Sequence, residues 1–169
     1  MYRLIFIVAL FSFIPLVKAI ETYQAPTDFL NDVFENNIPK VKKIWITGKV
    51  KEQVSKILRH PPNSLRTRYW RSNAKSVWIL NEVGKTQDIT VGIVVVNNRI
   101  ERIKVLVFRE SRGGEVRHSF FTDQFKNIGL QMNMQLSKNI DGITGATLSV
   151  RALKKVAALA LYLDAKIRE

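Results

Sequence analysis

Not one cysteine occurs in the 169 residues. Disulfide staples, thiolate nucleophiles and iron–sulfur clusters held by cysteine are therefore excluded. Histidine is nearly as scarce. His60 and His118 stand far apart, and no neighbouring residues complete a metal-ligand pattern around either. Acidic residues are outnumbered, at 14 against 27 lysines and arginines, for a net charge of +13. No apolar run reaches the roughly 20 residues that a spanning helix needs. Internal repeats and low-complexity tracts are also lacking.

The longest apolar run comes first. Arg3 supplies a positive start, and Leu4 to Val17 follows as 14 largely apolar residues broken by Pro15. Val17-Lys18-Ala19 has the small-x-small pattern of a cleavage site. Residues 1–19 therefore read as a signal peptide, with a periplasmic or otherwise extracytoplasmic chain expected to start at Ile20. An uncleaved anchor is the alternative reading. No cysteine follows the site, which argues against a lipid-modified start.

Removing Arg3 and Lys18 from a charge of +13 leaves +11. That balance favours anionic partners: acidic proteins, phosphorylated ligands or anionic lipid headgroups, the last as a peripheral contact. Nucleic acid is not expected. Export argues against it, no terminal arm gathers the charge, and no RNP, zinc-finger or basic-zipper pattern is present.

Pro26 to Asn37 places Phe29, Leu30, Val33 and Phe34 on one helical face. Lys43 to Thr47 reads as a strand and Gly48 to Leu58 as an amphipathic helix. His60-Pro61-Pro62-Asn63 then stops the helix, because a residue before proline avoids helical geometry. This stop divides an N-terminal helical and strand segment, 20–65, from a domain over 66–169. The first segment either covers the sheet or binds a partner. Beyond it, Thr67–Arg71, Lys75–Leu80, Ile89–Val96 and Ile100–Phe108 read as strands. Asn97-Asn98 joins the last two as a hairpin, since asparagine tolerates positive φ. Ser119–Ile128 reads as a short helix and Asn133–Ser137 as a further strand. Leu148–Lys166 is the clearest helix, alanine-rich and free of glycine and proline. The expected fold is α+β: a small antiparallel sheet with helices packed on it.

Ahead of that last helix stands Asp141-Gly142-Ile143-Thr144-Gly145-Ala146-Thr147-Leu148-Ser149. Gly145 permits a tight turn. Thr144, Thr147 and Ser149 gather hydroxyls where unpaired backbone N–H groups and the macrodipole make a helix start positive. Two readings follow, an ordinary N-cap and a phosphate site.

The stretch resembles the flavinylation motif of the FMN-binding domain family, Asp-x-x-Ser/Thr-Gly-Ala-Thr with Ser or Thr two positions on. Asp141, Thr144, Gly145, Ala146, Thr147 and Ser149 match it. Related domains occur in the C subunit of the sodium-translocating NADH:quinone reductase and the G subunit of the Rnf complex. The resemblance extends over about Tyr69 to Tyr162. It includes Val83-Gly84-Lys85, the hairpin, and the block Arg109-Glu110-Ser111-Arg112-Gly113-Gly114-Glu115-Val116-Arg117. It implies FMN joined through its phosphate to Thr147 by a phosphoester, made outside the cytoplasm by a flavin transferase that uses FAD and magnesium. It also implies a cofactor site of Asp141, Gly142, Thr144, Gly145, Ala146, Thr147, Leu148 and Ser149. Arg109, Glu110, Gly113, Gly114 and Arg117 would form a wall beside the flavin ring. Better-known members have Glu-Thr-Pro-Gly where this chain has Glu110-Ser111-Arg112-Gly113.

FMN brings its own redox chemistry, and a protein supplies position and electrostatics. Arg151, Lys154 and Lys155 either assist the phosphate or are solvated. Trp70, Trp78, Phe120 and Phe121 either stack on the ring or pack the core. The leading expectation is an electron-transfer flavoprotein rather than a stand-alone enzyme, working between membrane or periplasmic donor and acceptor proteins. A flavin-dependent oxidoreductase with its own small substrate and a non-redox basic binding module are the alternatives.

Overall fold

The computed structural model describes residues 20–169; the leader expected over 1–19 lies outside them. Six strands run β1 (Glu21–Thr22), β2 (Lys42–Trp45), β3 (Arg66–Ser72), β4 (Lys75–Val83), β5 (Asp88–Val96) and β6 (Arg99–Phe108). They form one antiparallel sheet in the order β1-β6-β5-β4-β3-β2. The helices are α1 (Pro26–Phe34), α2 (Gly48–Leu58), the short α3 (Ser119–Thr122) and α4 (Thr147–Lys166). The fold is α+β. Residues 20–65 supply both edge strands and two of the helices. Among the described residues, no helix is long and apolar enough to cross a membrane.

The sheet is covered on both faces, which explains the near-continuous Val and Ile of β5. One face carries Trp78, Leu80, Val91, Ile93 and Val105 beneath Leu153, Val156, Ala157, Ala160 and Leu161 of α4, with Val54, Ile57 and Leu58 of α2 alongside. The other face carries Val77, Val94 and Leu106 beneath Phe29, Leu30, Val33 and Phe34 of α1. Alanines in α4 keep its axis close to the sheet. Gly92 does the same for α1: a Cβ there would lie 2.4 Å from Phe29 Cε1.

Local chemistry sets the element ends. Glu35 and Asn36 adopt left-handed geometry and stop α1 short of Asn37. Arg59 does the same after α2. Asn97 and Asn98, with φ of 49° and 61°, make the hairpin turn that their type calls for. A buried polar chain pins the far end of α4. Trp78 Nε1 donates to Ser76 Oγ (2.8 Å), which donates to Asp164 Oδ1 (2.6 Å). Arg168 also donates to Asp164.

Two expected elements differ. Ser119–Ile128 is not one helix. It divides into α3 and a 3-10 turn over Asp123–Phe125, preceded by another over Gly114–Arg117. Phe121 and Phe125 are fully buried, edge to face. The chain then leaves the helix to bond with β6, through Ile100 N to Ile128 O (2.8 Å) and Asn127 N to Ile100 O (2.7 Å). Asn133–Ser137 is not a strand either. A single bridge, Leu130 to Leu136, closes that loop. In both places the apolar residues anchor a loop to the core rather than repeat with a strand or helix period.

Gly92→Ala is expected to cost about 1–3 kcal/mol through overpacking against Phe29, read as a lowered urea midpoint. A midpoint equal to wild type would show that α1 is not seated on β5 as described.

Candidate functional site

The loop before α4 begins with buried Ile140 and with Asp141, whose N–H donates to Gln124 Oε1 (2.8 Å). Ala146 N donates to Ile143 O (3.0 Å), closing a four-residue turn. Gly145 occupies its third position with φ +83°. That is the type II position that demands glycine. A Cβ at Gly145 or Gly142 would meet nothing within 4 Å, so the loop faces open space and the glycine at 145 answers to backbone geometry.

Ala146 is buried and serves as the N-cap of α4, so it offers no oxygen to the helix. Val150 N donates to Ala146 O (2.9 Å). The N–H groups of Thr147, Leu148 and Ser149 precede that first intrahelical bond, and no side chain caps them. Thr147 and Leu148 are exposed, whereas Ser149 is buried. A 20-residue helix thus presents an uncapped positive end with a threonine hydroxyl at its first position.

The second block folds against this end. Gly113 has φ +85°, and a Cβ on it would lie 2.5 Å from Ser149 Oγ and 3.5 Å from Ala146 Cα. Glycine here allows the loop after β6 to touch the start of α4. Glu110, two residues after β6, is buried. Its carboxylate accepts the N–H groups of Lys85, Thr86 and Gln87 and the Thr86 hydroxyl. Burial pushes the Glu110 carboxyl upward. The backbone donors at Gln87, Thr86 and Lys85 outweigh it and hold the group below its ordinary value. The β4–β5 turn is thereby tied to the loop that touches α4.

The arginines have other partners. Arg109 donates to Asp88 O (3.1 Å) and Thr90 Oγ1 (2.9 Å), bracing β5. Arg117 donates to Tyr23 Oη (2.8 Å) and lies over its ring, with Glu21 beside it. Gly114 lies beside Phe108, Tyr23 and Arg117. Asp141, Gly142, Thr144, Gly145, Ala146, Thr147, Leu148 and Ser149 are thus gathered with Gly113 at the head of α4, while Arg109, Glu110 and Arg117 brace the surrounding strands. Farther along α4, Lys155 pairs with buried Glu82 (2.7 Å), which also meets His60 (3.1 Å). Lys154 contacts Asn139 (3.4 Å). Arg151 is exposed one turn after Thr147. Trp78 and Phe121 are fully buried, Trp70 is half-buried, and Phe120 is exposed.

Residues 84–162 match the family model of the FMN-binding domain. The chain carries an FMN-binding domain. No curated protein and no solved structure matches the chain. The matched stretch begins in the β4–β5 turn and runs nearly to the end of α4, taking in both site blocks. FMN is the cofactor this domain binds, and the chain is a flavin-binding protein. The FMN-binding domain also contains residues that sequence reading passed over as site elements. Gln124 holds Asp141, and Lys85, Thr86 and Gln87 hold Glu110. Their backbone and amide contacts leave no motif.

Glu110→Gln is expected to lower stability by about 1–3 kcal/mol at neutral pH, through loss of charge-assisted bonds. The carboxyl is depressed in the folded state. The wild-type advantage is therefore full above the ordinary value of 4.5 and fades as pH falls below it. Urea unfolding at several pH values checks this; an advantage that grew on acidification would refute the assignment.

Proposed function

We propose that the protein is an exported flavoprotein that carries FMN covalently on Thr147 and passes electrons between extracytoplasmic or membrane partners. The observation that carries the reading is the uncapped head of α4, with an exposed Thr147 hydroxyl beside three N–H groups lacking intrahelical acceptors. Those donors and the helix dipole suit an anionic phosphodiester. The open space at Gly142 and Gly145 leaves room for it. The residues present therefore fit the group.

FMN supplies the electron-accepting and electron-donating chemistry when bound. Thr147 supplies the bond. Its Oγ1 joins the flavin-side phosphorus of FAD as the pyrophosphate P–O bond breaks, AMP leaves and the hydroxyl proton is lost. A flavin transferase with magnesium performs that step. The N–H groups of Thr147, Leu148 and Ser149 would hold the phosphate, and exposed Arg151 would add positive charge one turn on. Gly113 packs the loop after β6 on Ser149 and fixes the helix head. A covalent link suits a carrier outside the cytoplasm, where a dissociable flavin would be lost by dilution. Donor and acceptor are redox proteins of the membrane or periplasm.

The test is intact mass of the protein co-produced with a competent flavin transferase, beside Thr147→Ala and Thr144→Ala. The wild type is expected to start at Ile20 and to carry one added FMN. Thr147→Ala carries none, and Thr144→Ala keeps the site of attachment. Flavin retained in Thr147→Ala would remove the assignment, and a retained residue 1 would remove cleaved export.

A further inference from the structure

The fold gathers charge that no terminal arm holds. Residues 40–68 contain nine lysines and arginines and a single acid, Glu52, so +8 of the +11 left beyond residue 19 lies in this short stretch. All nine cations are exposed, and among the described residues none forms a salt bridge. The stretch lies wholly before residues 84–162, which match the family model.

Strands β2 and β3 order part of this charge. Lys43 stands opposite Arg68, and Trp45 opposite Arg66, so all four share one face of the ribbon. Like charges directly opposite on paired strands repel, and β2 and β3 carry no acidic residue to offset them. Lysine on the edge strand β2 has a plain use in blocking strand pairing. That use does not extend to Arg66 and Arg68 on the next strand, nor to an exposed tryptophan. Trp45 is 59% exposed, with the Arg66 guanidinium 5.9 Å from its ring centre. Leu65, whose carbonyl accepts Ile46 N, is 55% exposed at the same end of the ribbon. Beside the quartet, a cleft of ≈ 930 Å³ is lined by Lys43, Arg66, Arg68 and Trp70. It also holds Glu82, already bound to Lys155 and His60, and Asp88.

We infer that the Lys43–Trp45–Arg66–Arg68 face is a peripheral docking surface for an anionic lipid bilayer. Tryptophan and leucine enter the headgroup boundary, where a ring with a polar edge is favoured, and the surrounding cations meet anionic headgroups. This surface stands on residues outside the head of α4, so the inference does not depend on the flavin assignment.

Vesicle co-sedimentation of the exported protein tests it, with vesicles of phosphatidylcholine alone and vesicles of equal parts phosphatidylcholine and phosphatidylglycerol. Tryptophan emission is recorded in parallel. The wild type is expected to bind the anionic vesicles, less at high salt, with a blue shift that Trp45→Phe abolishes. Lys43→Gln, Arg66→Gln and Arg68→Gln together should weaken partitioning on the order of a hundredfold, at about fivefold per cation. Arg102→Gln, Lys104→Gln and Lys126→Gln together remove equal charge elsewhere and should weaken it far less. Equal loss in the two triple variants would reduce the effect to net charge and overturn the proposal. So would equal binding to both vesicle types, or a tryptophan spectrum indifferent to lipid. Binding to polyglutamate through the same residues, with no vesicle binding, would assign the face to an acidic protein instead.

Discussion

Burial of one face of α4 against the sheet is the interaction on which the rest depends. Leu153, Val156, Ala157, Ala160 and Leu161 have almost no exposed surface. Burying side chains of this size is worth about 1.5–3 kcal/mol for each larger residue, before the entropy of ordering them is subtracted. The far end of the helix is fixed by Asp164, whose carboxylate accepts hydrogen bonds from Ser76 and Arg168. With the axis and far end held, the position of the first turn is determined. Gly113 then meets Ser149, and the loop over Ile143–Ala146 delivers the chain into the helix. The uncapped N–H groups are a consequence of that rigid placement. A loosely packed helix would fray at its head and present no fixed donors.

The supports around the head are similarly indirect. Glu110 touches three backbone N–H groups of the β4–β5 turn, and Arg109 reaches back to Asp88 and Thr90 of β5. Both act on the strands that carry the loop after β6, and so on the seat of Ser149. Arg117 links the same loop to Tyr23 next to the edge strand β1. Burial and the neighbouring Glu21 carboxylate push the Tyr23 phenol above its ordinary value, and the phenol donates to Glu21.

Much of this was legible because it is local. Alanine and leucine at helical spacing announce α4, Val and Ile announce β5, and Asn97-Asn98 announces its hairpin. The α4 head was legible for the same reason: a glycine, three hydroxyl residues and a helix start lie within nine positions. The matched domain is narrower at its start than the resemblance, beginning at Gly84 rather than near Tyr69. What stayed hidden is non-local. Whether Arg109 points at a cofactor or braces β5 depends on where Asp88 and Thr90 fold, about 20 residues earlier. The loop after Phe121 misleads because its phenylalanines pack inward from irregular backbone. The basic face on β2 and β3 also depends on register, since Lys43 and Arg68 meet only once the strands pair.

The account's central claim is that the first-turn N–H groups of α4 hold the cofactor phosphate. Amide chemical shifts of nitrogen-15-labelled protein, produced with and without a flavin transferase, test it most directly. The account predicts that the largest downfield proton shifts on loading fall on Thr147, Leu148 and Ser149, with smaller changes at Gly113. Unchanged shifts at those three amides, with the perturbation clustered elsewhere in the FMN-binding domain, would contradict it.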